Sequence, residues 1–262
     1  MFYLCNNVTG LTLKQISMPC QLKKQINSNI VMESNGIPQS VIGRLDPVVK
    51  RVFAEGDFHR VEMRSIARDA GMSFATIYRY FTDKEKLLFW FIAYWLKEVQ
   101  LSAIEALDSE GSALERIRRY LIAHFIFYEK NPQIGRIIFM TVPLERWMRD
   151  DTYAYKEPMR RLRSVIQAGQ RSGEIRSDVN SETIIDLFSG IFNRTFLMWE
   201  YRGRTYSLVE QYDTVRPLIE SGLVVGLASQ RDVPKQQIVM RPGTGSPVKC
   251  ITSVAAVTRK TK

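Results

Sequence analysis

Between residues 42 and 226 the apolar positions recur at three- and four-residue intervals, the period of helices with one buried face. Val48, Val49, Val52 and Phe53 share such a face and stop at Gly56-Asp57. Met63, Ile66, Ala67 and Ala70 predict a second, short helix that ends at Gly71. Ser73 is placed to cap a third, in which Ile77 and Phe81 face the core. Thr82-Asp83-Lys84-Glu85 has the spacing of a capping box and opens a long helix to about Leu107. The same periodicity predicts helices at 112–130, 132–140, 143–150, 155–172, 180–202 and 207–225. No segment calls for a strand, so the expected class is all-α.

The two ends break this pattern. Residues 1–41 mix Asn, Ser, Gln and Gly without a sustained period and are expected to form a loose arm, with Met32 as an alternative start of translation. Residues 227–262 hold Pro234, Pro242, Gly243, Gly245 and Pro247 among Lys and Arg, the composition of a flexible basic tail. These ends also dominate the charge. The chain of 262 residues carries a net +10, of which +2 belongs to residues 1–41 and +6 to residues 227–262. Bulk charge therefore says little about the helical part, although it suits an acidic partner such as nucleic acid.

Composition narrows the classes further. With 45% hydrophobic and 24% charged residues the chain is an ordinary globular protein. Its longest unbroken apolar stretch, Leu87 to Leu96, is half the length of a membrane span, so no membrane role is expected. The first residues have no basic segment ahead of an apolar run, hence no secretory signal is read there. Cys5, Cys20 and Cys250 lie in the outer segments without C-x-x-C spacing, which supports no metal site and points to a reducing cytoplasm. No phosphate-binding glycine loop, metalloprotease motif or nucleophile elbow occurs, so no catalytic residue and no cofactor is assigned, and an enzyme is not expected.

Residues 63–81 carry the chemistry. Two short helices meet at a tight turn on Gly71, with Ala67 and Ala70 small enough for a close crossing, which is the pattern of a helix-turn-helix. The second helix leaves Phe74, Ala75, Thr76, Tyr78, Arg79 and Tyr80 outward. Together they supply hydroxyls and cations for phosphates, an arginine for guanine edges and apolar groups for thymine methyls. Arg64 and Ser73 flank this face, and Lys84 in the first turn of the long helix suits a phosphate. Arg68 and Asp69 read as a solvated face. His59 and Arg60 are open between backbone contact and plain exposure.

The run Ile66-Ala67, Ala70-Gly71, Ser73, Thr76-Ile77-Tyr78, Tyr80-Phe81, Lys84 and Leu87 resembles the DNA-binding domain of the TetR family of bacterial transcriptional regulators, over roughly residues 42–95. The resemblance implies a helix-turn-helix domain (42–88) followed by a helical effector-binding and dimerisation domain (89–226). It also implies that Arg64, Phe74, Ala75, Thr76, Tyr78, Arg79, Tyr80 and Lys84 fall at DNA-contacting positions. Phe74 departs from the family's pattern, where a polar or small residue is usual.

In the second domain, aromatic residues crowd several predicted helices. Trp95, His124, Phe125, Met140, Trp147, Phe188 and Phe192 are candidates for the wall of a pocket for a small hydrophobic effector, or else plain core. His124, in an apolar stretch, is a core histidine or a ligand anchor. Lys156, Arg160, Arg161 and Arg163 read as a solvated helix face. The last two predicted helices carry apolar faces through Ile184, Phe188, Ile191, Leu208, Tyr212, Val215, Leu218 and Ile219. Pairing with a second copy would bury them in a four-helix bundle, which makes a homodimer and a pseudo-palindromic operator the expectation. The functional expectation is a DNA-binding repressor released by its ligand. The rival is a helical carrier or interaction module that has lost operator binding.

Overall fold

The computed structural model describes residues 36–224, which form ten helices and no strand among the described residues. The basic tail and most of the arm lie outside the described residues. We label the helices α1 (Gln39–Glu55), α2 (Met63–Asp69), α3 (Phe74–Tyr80), α4 (Lys84–Asp108), α5 (Ala113–Lys130), α6 (Pro132–Arg136), α7 (Leu144–Arg149), α8 (Lys156–Ser172), α9 (Ser181–Tyr201) and α10 (Leu208–Leu223). A 3-10 turn, Phe58–Arg60, precedes α2, and a π-helical turn, Ile137–Thr141, prolongs α6. α1 begins at Gln39, inside the span expected to be arm, and Ile37 just ahead of it is buried.

The first three helices wrap a small apolar centre. Ile42, Leu45, Val49 and Phe53 of α1 meet Ile66 and Ala67 of α2 and Ile77 of α3, all buried. Gly71 turns the chain between α2 and α3 with a φ of +61°, a left-handed conformation that strains any other residue. The expected capping box at Thr82 is not how α4 starts. Asp83 is the cap instead, accepting from the Lys86 amide at 2.9 Å, because its short carboxylate already reaches the third helical N–H.

α4 then runs 25 residues and joins the two halves. By length and composition it could cross a membrane, which the ten-residue count of unbroken apolar positions did not anticipate. Leu87, Leu88, Phe91, Ile92, Leu96, Val99, Ala103 and Leu107 nevertheless sit in the core; the helix packs mainly on α5 and α8, and Phe91 meets Phe81 of the first half. α5 lies at the centre of the second half, in contact with α4, α8 and α10. Its start is fixed twice. Ser112 and Glu115 form a reciprocal capping box, and the Glu174 carboxylate accepts the Ala113 and Leu114 amides at 2.8 Å each. α9 and α10 close the bundle, capped by Asn180 and Ser207.

The halves touch at more than α4. α1 also packs on α6 and the π-helical turn. Asp46 of α1 accepts from Trp95 Nε1 at 2.5 Å, while Lys50 lies 5.5 Å from the centre of the Trp95 ring. Two ion pairs, Arg146–Glu85 and Lys86–Asp150, tie α7 and its exit to the first turn of α4.

Candidate nucleic-acid interface and effector core

The recognition face is assembled from α2, α3 and the turn between them. Ser73 Oγ accepts from the Thr76 amide at 3.1 Å and shares a 2.7 Å hydrogen bond with the Thr76 hydroxyl, which starts α3 firmly. Ile77 points inward and is fully buried, so its helical neighbours must point out. Phe74 is 37% exposed and Tyr78 44%, and their ring centres lie 4.3 Å apart. The Arg64 guanidinium reaches across from α2 to within 5.4 Å of the Phe74 ring centre. Ala75 and Arg79 are exposed beside them. Seven of the nine expected DNA-contacting residues, Arg64, Ser73, Phe74, Ala75, Thr76, Tyr78 and Arg79, therefore share one surface.

Tyr80 and Lys84 are placed differently. Tyr80 is half-buried against the core. Lys84 was expected at a phosphate, but its ammonium donates to the carbonyls of Phe58 (2.8 Å), His59 (3.0 Å) and Val61 (3.1 Å). An ammonium has three N–H groups, and here all three are used. Its charge also sits 4.8 Å from the Phe58 ring centre. Lys84 thus pins the 3-10 turn ahead of α2 onto the start of α4.

A residue that sequence reasoning missed holds the turn from the other side. Arg44 of α1 donates Nε to the Ala70 carbonyl at 3.1 Å and Nη2 to the Gly71 carbonyl. It secures the end of α2 at the point from which α3 departs. No local motif marks it, because its partners are 26 and 27 residues away. Asp69, expected to be merely solvated, pairs with Arg51 at 2.7 Å, and that hydrogen bond holds its carboxyl below the ordinary value.

The effector half contains one continuous aromatic cluster. Phe192 of α9 touches Phe125 (4.9 Å between ring centres), Tyr128 (5.4 Å), Phe139 (5.8 Å) and His124 (6.3 Å). The cluster continues through Tyr155 to Trp147, 6.0 Å further on. Within it the Tyr128 and Tyr155 hydroxyls meet at 2.6 Å. Trp147 is 1% exposed and its Nε1 has no hydrogen-bond partner, so a donor is left buried beside the Tyr153 and Tyr155 rings. His124 Nδ1 lies 2.8 Å from the Tyr120 carbonyl, which can only accept, so the proton sits on Nδ1. Burial pushes the His124 pKa down to about 4, against the raising effect of that hydrogen bond, and the ring is neutral at pH 7.

Of the expected pocket residues, His124, Phe125, Trp147 and Phe192 come together in this cluster. Phe188 is buried one turn before Phe192. Trp95 and Met140 are corrections. Trp95 belongs to the α1–α4 junction through Asp46, and Met140 in the π-helical turn is 60% exposed.

The expected dimer face also needs correction. Ile184, Phe188, Leu208, Tyr212, Val215 and Ile219 are buried within the chain itself. The reason is that α5 covers α10 and α8 covers α9, with Phe125 of α5 reaching both. Phe125 packs on both Phe192 and Tyr212, the Tyr212 hydroxyl donates to the Arg118 carbonyl, and Arg118 pairs with Glu220 at 2.6 Å. Only Leu218, 69% exposed, and the half-buried Ile191 remain at the surface. They accompany Leu187 and Tyr201, also exposed, and an open groove of about 560 Å³ lined by Leu187, Gly190, Ile191, Arg194, Met198 and Gln211, among others.

A helix-turn-helix with an exposed arginine–aromatic face, carried by a helical bundle with an aromatic core, defines a class of helical DNA-binding regulators. Residues 50–89 match the family profile of bacterial regulatory proteins of the tetR family. The fatty acid metabolism regulator protein of Bacillus subtilis is 22% identical over 177 residues, covering 66% of this chain and 90% of that protein. The nucleoid occlusion factor SlmA of Vibrio atlanticus is 35% identical over 80 residues, which span 30% of this chain and 40% of SlmA. Among solved structures, the transcriptional regulator FadR of B. subtilis in complex with stearoyl-CoA superposes with a TM-score of 0.61. That likeness is at 21% identity and covers 68% of this chain and 97% of FadR.

Proposed function

We propose that this chain is a homodimeric repressor that leaves its operator when a long-chain acyl ligand enters the second half of the molecule. The observation that carries the DNA-binding part is the single outward face of Arg64, Phe74, Ala75, Tyr78 and Arg79, on a helix whose inward side is fixed by Ile77. Two such faces, related by a two-fold axis, would meet successive major grooves about 34–36 Å apart and read an inverted repeat. The apolar groove and exposed Leu187, Leu218 and Tyr201 on α9 and α10 supply the dimer surface in this reading. Operation in the cytoplasm follows from the DNA target.

The ligand class is supported by the buried aromatic cluster around Phe192 with its few polar groups, Trp147 Nε1, His124 and the Tyr128–Tyr155 pair. It is further supported by the acyl-CoA named for the FadR structure. Opening that cluster would strain the α6–π-turn segment, which lies directly under α1, and so re-aim the helix-turn-helix. A coupling of about 1–3 kcal/mol would change operator affinity roughly 5–150-fold.

The test is selection of bound duplexes from a random DNA pool, followed by titration of stearoyl-CoA against the enriched duplex. An enriched inverted repeat released by the acyl-CoA supports the reading. Salt-governed binding to all sequences, with no enrichment, sinks it in favour of a carrier or interaction module.

A further inference from the structure

Phe74 poses a problem that the regulator reading does not solve. It stands at the first position of α3, where a side chain that reads bases is expected to offer hydrogen bonds, and it has none to offer. It is also exposed, and it is not alone. Phe74 and Tyr78 lie one turn apart with ring centres at 4.3 Å, and Arg64 from the neighbouring helix covers the Phe74 ring at 5.4 Å. Arg79 is exposed on the same helix. The patch is therefore apolar at its centre and cationic around it.

That combination selects its occupant. The cationic surround suits a polyanion. On the floor of the major groove the edges of adenine, guanine and cytosine present polar donors and acceptors, and only thymine adds an apolar group, its C5-methyl. A phenyl ring gains nothing over a polar edge and loses by desolvating it. Against a methyl group it gains the burial of both.

Resting on the operator-binding reading, we propose that Phe74, packed against Tyr78 and Arg64, reads thymine through its C5-methyl group. The arginine's contact with the ring has a further consequence. A lone arginine on a short helix samples many rotamers, whereas a guanidinium held on a ring is partly ordered before DNA arrives, and less freedom is lost on binding. Specificity at this position is then for the methyl group itself, and not for the hydrogen-bonding edge of an A·T pair.

Deoxyuridine separates these two, since it pairs as thymine does and lacks only the methyl. With the full chain and its selected duplex, each thymine is replaced in turn by deoxyuridine and affinity is read by fluorescence anisotropy. Loss of about fourfold, the value of one buried methyl group, is expected at one or two positions of each half-site. Phe74→Ala, at an exposed position and with an unchanged melting curve, is expected to bind more weakly and to show no response to uridine at those positions. Indifference of the wild-type chain to every uridine substitution overturns the proposal and leaves the regulator reading intact. An unchanged uridine response in Phe74→Ala does the same. A selection that enriches no duplex overturns both.

Discussion

The molecule uses aromatic side chains in two opposite ways. In the effector half Phe125, Tyr128, Phe192 and Phe196 are buried in one cluster, and the single hydroxyl among them, on Tyr128, is paired with that of Tyr155. On α3, Phe74 and Tyr78 pack on one another in the open with tilted rings, beside an arginine. The first arrangement gains stability from burial. The second leaves apolar area in water, which burial alone does not justify and which a partner surface does. Exposure of paired aromatics beside cations, more than aromatic content, separates the candidate binding face from the core.

Substitution breaks this contrast most visibly. Phe125→Ala is expected to lower unfolding free energy by about 3–5 kcal/mol through loss of burial and a cavity, read by urea melts. Phe74→Ala is expected to stay within about 0.5 kcal/mol of wild type, as exposed substitutions do, while operator affinity falls. A large stability loss for Phe74→Ala would place it in the core and end the comparison.

The next effect is on pH. The folded chain holds His124 at a pKa of about 4, while an unfolded chain returns it to about 6.5. The unfolded state therefore binds the proton first as pH falls. Stability contributed by the neutral ring is full above pH 6.5 and declines down to pH 4, by about 3 kcal/mol at most. His124→Phe, compared with wild type by melts between pH 7 and pH 4, is expected to lack this part of the decline. Parallel curves would show that the ring is not desolvated in solution.

Smaller still is the turn. Gly71 has a φ of +61°, and an added Cβ would lie 2.9 Å from Arg44 Nη2. Gly71→Ala is expected to cost about 1–2 kcal/mol and to loosen the Arg44 clamp, so that operator affinity falls in step with stability. The least effect on the single chain's stability belongs to Leu218→Glu, at a 69% exposed position. Sedimentation is expected to show loss of the proposed dimer with an otherwise native helical content. An unchanged dimer would move the interface away from α10.

How far the chain was legible follows the range of its interactions. Helix starts written locally were readable: Ser112 with Glu115, Asn180 and Ser207 place α5, α9 and α10 within a residue or two of where periodicity puts them. So was the outward face of α3, since buried Ile77 fixes which way the helix turns. Three features were not. The π-helical turn after α6 shares its apolar spacing with an ordinary helix, so 132–140 reads as one element. Trp95 meets Asp46 across 49 residues, and Arg44 meets Ala70 across 26, with no local sign of either partner. The apolar faces of α9 and α10 were visible, but sequence could not say that α8 and α5 would cover them first.

The central claim is that this exposed arginine–aromatic face reads sequence and that the basic ends of the chain do not account for binding. Affinity for the selected duplex and for a scrambled duplex of equal length, followed across a salt series, tests it most directly. Salt is expected to weaken both, while the selected duplex keeps a preference of roughly 10³-fold or more throughout. Equal affinities at every salt concentration would contradict the account and assign binding to charge alone.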